Sequence, residues 1–114
     1  MESNYEIEDE FLIIHLPREL DHHSAKDIKI QSDKEFNKGN LKNIIFDFER
    51  TTFMDSSGIG VVMGRYKKVK DAGGFIGVMN INGAIHRVME ISGLYKLVEN
   101  YGTINQSENK EWRG

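Results

Sequence analysis

The sequence has no cysteine, one proline and one tryptophan, and no apolar run near the roughly 18–20 residues that span a bilayer. Without cysteine there is neither a disulfide framework nor thiolate chemistry. The polar, acidic start Met1-Glu2-Ser3-Asn4-Tyr5-Glu6 is unlike a secretory signal, so a cytoplasmic protein is expected. A surplus of positive charge is missing as well. The formal net charge is −3, and the locally basic stretch is Arg65-Tyr66-Lys67-Lys68-Val69-Lys70. Duplex binding relies on a basic patch meeting phosphates, so direct contact with nucleic acid is not expected, nor is a membrane. On a helix those cations should project away from the apolar stripe as a solvated face. What remains is 114 residues, 39% hydrophobic and 10% aromatic, with no internal repeat or low-complexity segment. That composition suits one globular domain with a real core.

Taken in order, Tyr5 and Ile7 and then Phe11 to Leu16 read as two short strands around the acidic turn Glu8-Asp9-Glu10. Apolar residues on both faces of the second predict cover from both sides, and Pro17 ends it. The loop Asp21-His22-His23 precedes Ser24-Ala25-Lys26-Asp27, which has the spacing of a capping box, so a helix is predicted from there to Lys38, stopped by Gly39. Lys42 to Phe48, nearly continuous in Ile and Phe, reads as a central strand. Phe75 to Met79 reads as another. Asn82 should cap a helix through Ile85, Val88 and Met89 that Gly93 stops, and Leu97-Val98 is the last predicted strand. The order ββαβαβαβ predicts an α/β fold with right-handed crossovers and a mostly parallel sheet.

Between Phe48 and Phe75 lies the most informative stretch, Phe53-Met54-Asp55-Ser56-Ser57-Gly58-Ile59-Gly60-Val61-Val62-Met63-Gly64-Arg65-Tyr66-Lys67. Ile59, Val62, Met63, Tyr66 and Val69 follow a helical period, so a loop running straight into a helix is expected. Asp55 and Ser56 are both N-cap residue types, with Ser56 expected to cap and Asp55 to hold the loop. Ser57 then falls in the first turn, where free amides and the helix dipole favour an added negative charge. Three glycines here cost roughly 0.5–1 kcal/mol each relative to Ala, which suggests close backbone approach.

Spacing argues against several chemistries. Gly58, Gly60 and Gly64 begin ten residues past Phe48, whereas a dinucleotide fingerprint needs its glycines in the strand-to-helix turn itself. There is no Walker loop, and no G-x-S-x-G elbow surrounds Ser57. His22 and His23 with Asp21 lack a third ligand at a recognisable metal spacing. His86 and Glu90, four apart on a predicted helix, read as an exposed pair.

Three ordered blocks carry a resemblance: Glu19-Leu20-Asp21-His22-His23-Ser24-Ala25, the Phe53–Lys67 stretch, and Ile91-Ser92-Gly93-Leu94-Tyr95-Lys96. Together they span most of residues 11–98, and the chain is similar to STAS domains, the fold of bacterial anti-anti-sigma factors, especially those of sporulation. The resemblance implies a small, mostly parallel sheet of four to five strands with helices packed on it. It implies a STAS domain over residues 1–104; residues 105–114 depart from the family, which usually closes with an amphipathic helix, and read as a polar tail or short helix. It implies that Ser57 is the phosphorylation site, and that Asp21, His22, Asp55, Ser56, Ser57, Gly58 and Ile59 belong to a partner-binding surface. The implied partner of the unphosphorylated form is an anti-sigma factor that is also a serine kinase. Phosphorylation would release that partner, and a PP2C-like serine phosphatase would reset the switch. No enzyme activity, cofactor or metal is implied. Arg18 departs from the family, which often has a glycine before the Glu-Leu-Asp run. The alternatives are a stress-response antagonist of the same family and, from another class, a small serine-dependent hydrolase.

Overall fold

The computed structural model describes residues 3–102 of the chain. Strands β1 (Asn4–Glu8) and β2 (Phe11–His15) form an antiparallel hairpin, with Asp9 in the left-handed region at the turn. There follow β3 (Glu19–Leu20), α1 (His22–Phe36), β4 (Asn43–Asp47), β5 (Phe53–Met54), α2 (Ser56–Asp71), β6 (Ile76–Met79) and α3 (Gly83–Ser92). A 3-10 turn over Leu94–Lys96 and the short strand β7 (Glu99–Asn100) come last. The main sheet has the order β1-β2-β4-β6-β7, parallel throughout except for the β1–β2 pair. Strand order steps in one direction along the sheet, so crossovers of one hand carry all three helices to one face. The mostly parallel five-stranded sheet agrees with expectation, and the apolar β4 is its central strand.

The pleat sends alternate residues to opposite faces. Leu12, Ile14, Ile44, Phe46, Ile76 and Val78 meet Ile28 of α1, Val62 and Val69 of α2, and Ile85 and Met89 of α3 in the main core. The other face carries a smaller cluster of Ile13, Ile45 and Met79, flanked by Phe11, Phe75 and Tyr101. Among the described residues no helix contributes to that second cluster.

Several local expectations need correction. Helix α1 starts at His22, not at Ser24: Asp21 is its N-cap, and Ser24 is the third residue of a reciprocal capping box. Asp21 Oδ1 accepts from the Ser24 amide at 3.1 Å, and Ser24 Oγ accepts from the Asp21 amide at 3.0 Å. The last strand lies at Glu99–Asn100, two residues beyond Leu97-Val98, because the 3-10 turn after Gly93 uses up the intervening chain. Two strands of two residues each, β3 and β5, were not foreseen. In α2 the buried face runs through Gly58, Val61, Val62, Arg65 and Val69, while Met63 is exposed. Arg65 is therefore no solvated cation. It is 5% exposed, and its Nη1 donates to Asp33 Oδ1 at 2.6 Å, Ser32 Oγ at 2.8 Å and the Lys29 carbonyl at 3.2 Å, tying α2 to α1. The expected tail, 105–114, lies outside the described residues.

Candidate functional site

The short β3–β5 pairing organises the site. Its parallel register sets Glu19 beside Phe53 and Leu20 beside Met54, and the Asp55 amide donates to the Leu20 carbonyl at 3.3 Å. One strand leads directly into α1 and the other into α2, so the two helix starts lie side by side at one end of the molecule. The connecting loops are locked from below. Thr51, fully buried, donates from Oγ1 to the Pro17 carbonyl at 2.8 Å, and Asn82 Nδ2 donates to the Thr51 carbonyl at 2.8 Å. This end is the carboxyl end of the parallel strands, where open α/β sheets place their binding sites.

At the α2 start, Asp55 is the cap. Its Oδ1 accepts from the Ser57 amide at 2.8 Å and from the Gly58 amide at 3.4 Å, and its carbonyl accepts from Gly58 and Ile59. The expectation that Ser56 caps is thus corrected: Ser56 is the first helical residue and is exposed. An aspartate two residues before Ser57 reaches those amides in a geometry that a serine inside the first turn cannot adopt. A further expectation changes with it. The first-turn amides of Ser57, Gly58 and Ile59 already have acceptors, so they are not free for an anion. Ser57 itself is half-buried, and among the described residues no hydrogen bond engages its Oγ. No histidine contacts that hydroxyl among the described residues, so it has no base positioned to make it a nucleophile.

Gly58 is the glycine that packing requires. A Cβ there would stand 2.6 Å from Met54 Cγ and 2.9 Å from Leu20 Cγ, whereas Gly60 and Gly64 face open space. Close approach at Gly58 seats α2 on the β3–β5 pair. Of the residues read as one surface, Asp55, Ser56, Ser57, Gly58 and Ile59 open α2, and Asp21 and His22 open α1 across the ladder. Asp21 is chiefly a cap, its carboxyl held below the ordinary 3.8 by the hydrogen bond from the Ser24 backbone, while His22 is exposed.

Other exposed residues on this end escaped the sequence reading. Phe53 is 49% exposed, and Met63 lies with Ser56, Gly60 and Gly64 on the solvent side of α2. Met63 fitted the apolar period, but Gly60 and Gly64 beside it face open space and its side chain is exposed. Beside the Asp21 loop an open groove is lined by Ser3, Arg18, Ser24, Lys26 and Arg50. No group of three or more His, Asp or Glu is placed to hold a metal among the described residues. Nor is any helix among them long and apolar enough to cross a membrane.

Comparison with known proteins gives a consistent family. The model of the STAS domain family matches residues 2–110. An anti-sigma F factor antagonist of Paenibacillus polymyxa is 38% identical over 90 residues, covering 79% of this chain and 77% of the relative. One from Lysinibacillus sphaericus is 34% identical over 85 residues, covering 75% and 73%. Among solved structures, the anti-sigma factor antagonist SpoIIAA in its unphosphorylated form superposes with a TM-score of 0.81 at 30% identity, covering 96% of this chain and 93% of that one. The phosphorylated form of the Bacillus protein gives 0.74 at 30% identity, with 96% of each chain covered.

Proposed function

The chain belongs to the STAS domain family, and on that premise we propose that it is an anti-anti-sigma factor. In this reading the unphosphorylated chain binds an anti-sigma factor through the paired helix starts and so frees a sigma factor, in a sporulation pathway of the cytoplasm. The anti-sigma factor is also an ATP-dependent serine kinase. It transfers the γ-phosphoryl group of ATP to Ser57 Oγ, which loses its proton, with ADP as the leaving group, and the phosphorylated antagonist dissociates. A PP2C-like phosphatase hydrolyses the phosphoserine and restores the binding form. The chain itself performs no catalysis.

One observation carries this reading. Ser57, in the first turn of α2, has a hydroxyl that, like that of Ser56, no hydrogen bond engages among the described residues, in a surface that continues into the Asp21–His22 loop. The occupied amides around Ser57 also give the switch its direction. A phosphate there adds about −1.5 to −2 charges beside Asp55 without gaining the helix amides as donors, so it alters the surface shown to a partner. The test is a binding titration of the purified chain against an anti-sigma serine kinase from the same organism, followed by intact-mass measurement with ATP and Mg²⁺. The proposal expects a saturable complex and a single added phosphate that appears only when the kinase is present. A chain that fails to bind, or that labels itself when incubated alone with ATP, contradicts it.

A further inference from the structure

On the sheet face opposite the helices, His15 at the end of β2 stands between two acids. Its Nδ1 lies 2.7 Å from Asp47 Oδ2 on β4, and its Nε2 lies 2.6 Å from Glu6 Oε1 on β1. Asp47 is its direct neighbour in the parallel register, whereas Glu6 is diagonal, opposite Ile13. An ionised carboxylate only accepts hydrogen bonds, so contacts this short need a proton on each ring nitrogen. With both acids ionised, the ring that makes both contacts is the imidazolium, and it bridges three adjacent strands.

The two acids are unequal. The Asp47 side chain is 6% exposed, against 65% for Glu6. Asp47 Oδ1 also accepts from Asn80 Nδ2 at 2.8 Å and from the Glu49 amide at 3.0 Å. When the ring loses one proton it keeps a single N–H, and the buried carboxylate has the greater need of it. The remaining proton therefore stays on Nδ1, and Nε2 turns a lone pair toward Glu6. That breaks the contact to β1. Strand β1 is the edge of the sheet, pairs with β2 alone along its five residues and is largely exposed apart from Tyr5, so the His15–Glu6 contact adds to that ladder and to the packing of Tyr5 on the core. Ser3, just before β1, lines the groove that also contains Arg18, Asp21 and Ser24.

We propose that His15 is a pH-gated clamp: its protonated ring fastens edge strand β1 to β2 and β4, and its deprotonation loosens β1, which leads from the groove beside the Asp21 loop. Among the described residues the charged groups acting on the ring are Glu6 from β1 and Asp47 from β4. Burial opposes its charge, but the hydrogen bonds to Glu6 and Asp47 outweigh that and raise its pKa above the ordinary 6.5. A group with a raised folded-state pKa stabilises fully below its unfolded value, and the effect fades as pH rises through the folded value. The clamp is thus fully closed below pH 6.5 and opens as pH rises through the higher folded-state pKa. The inference is independent of the function proposed for Ser57.

The test is an NMR titration of the ¹⁵N-labelled full chain, following the His15 ring nitrogens and the protection factors of the β1 amides. His15 is expected to titrate above 6.5 and to carry its remaining proton on Nδ1. Across the same transition the β1 protection factors should fall by up to about fivefold, the worth of one largely exposed ion pair. Glu6→Gln, on an exposed side chain that does not threaten folding, should lower the His15 pKa and flatten the pH dependence of β1 protection. His15→Gln should hold β1 protection at the parent's high-pH level at every pH. Titration at or below 6.5, a neutral ring protonated on Nε2, or β1 protection indifferent to pH and to Glu6→Gln would each overturn the clamp.

Discussion

Three glycines open α2, and the structure predicts opposite outcomes when each receives the same methyl group. At Gly58 the new Cβ would stand 2.6 Å from Met54 Cγ, 2.9 Å from Leu20 Cγ and 3.0 Å from Leu20 Cδ2. Leu20 is fully buried and Met54 6% exposed, and the Leu20 Cγ branch point cannot swing aside without moving β3. Overpacking of this kind costs about 1–3 kcal/mol. The helix-propensity gain of Ala over Gly returns at most ~1 kcal/mol. With the full gain, Gly58→Ala should therefore lose about 0–2 kcal/mol, and it should lie about 1–3 kcal/mol below a glycine replaced without overpacking. Gly60→Ala and Gly64→Ala meet nothing within 4 Å and keep only the gain, so each should be up to ~1 kcal/mol more stable than the parent. At about 4–8 °C per kcal/mol for a domain of nearly this size, Gly58→Ala should melt at least ~4 °C below Gly60→Ala. Thermal and urea unfolding followed by circular dichroism measure the difference. Equal stability of Gly58→Ala and Gly60→Ala would refute the claim that close approach at Gly58 seats the site.

Asp55→Ala should cost about 0.5–2 kcal/mol by removing the α2 cap, and Asp55→Asn should recover most of it; equal loss in both, by urea titration, would show that the carboxylate charge matters more than the capping oxygen. Arg65→Met should cost about 1–3 kcal/mol, less than the 3–5 typical of breaking a buried pair, because Asp33 keeps Lys68 at 3.4 Å and Lys29 at 3.6 Å; a neutral or stabilising result would remove Arg65 from the α1–α2 contact. Burial works against the charge of Asp33, but Arg65 and Lys68 outweigh it and hold its pKa below 3.8, so its stabilisation is present above 3.8 and lost as pH falls through the lower folded value. Acid unfolding of Asp33→Asn should accordingly be the less pH-dependent below pH 4, and identical acid limbs would contradict the pairing.

The parts of the fold that were legible in the sequence are those long enough to show a period. β4 was visible as an apolar run, α3 by its Asn82 cap and Gly93 stop, and the α2 start by Asp55-Ser56-Ser57-Gly58. Two-residue strands have no period, so β3 and β5 were illegible, although they join the Asp21 loop to the Ser57 helix. That adjacency came from the family resemblance, not from spacing. Residue type misled at the caps, where Ser24 and Ser56 fit the pattern but the preceding aspartates have the geometry. It misled again at Arg65, since a charge on a helix is exposed by default and the acceptors that bury this one come from α1, more than thirty residues away in the chain. The His15 bridge draws on three strands and was equally out of reach of local reading.

The assignment of the switch to Ser57 is tested most directly by mapping the phosphate that an anti-sigma kinase adds and titrating the mapped product against that kinase. The phosphate should sit on Ser57, the residue that the family resemblance assigns, and not on the neighbouring Ser56, although among the described residues neither hydroxyl has a hydrogen-bond partner. A charge left without compensation in an interface typically costs 2–5 kcal/mol, and 1.4 kcal/mol is tenfold in affinity, so binding should weaken by roughly 30- to 1,000-fold. Ser57→Ala should bind as the parent does and take up no phosphate. Phosphate found on Ser56, or a Ser57-phosphorylated chain that binds as tightly as the unmodified one, would contradict the switch.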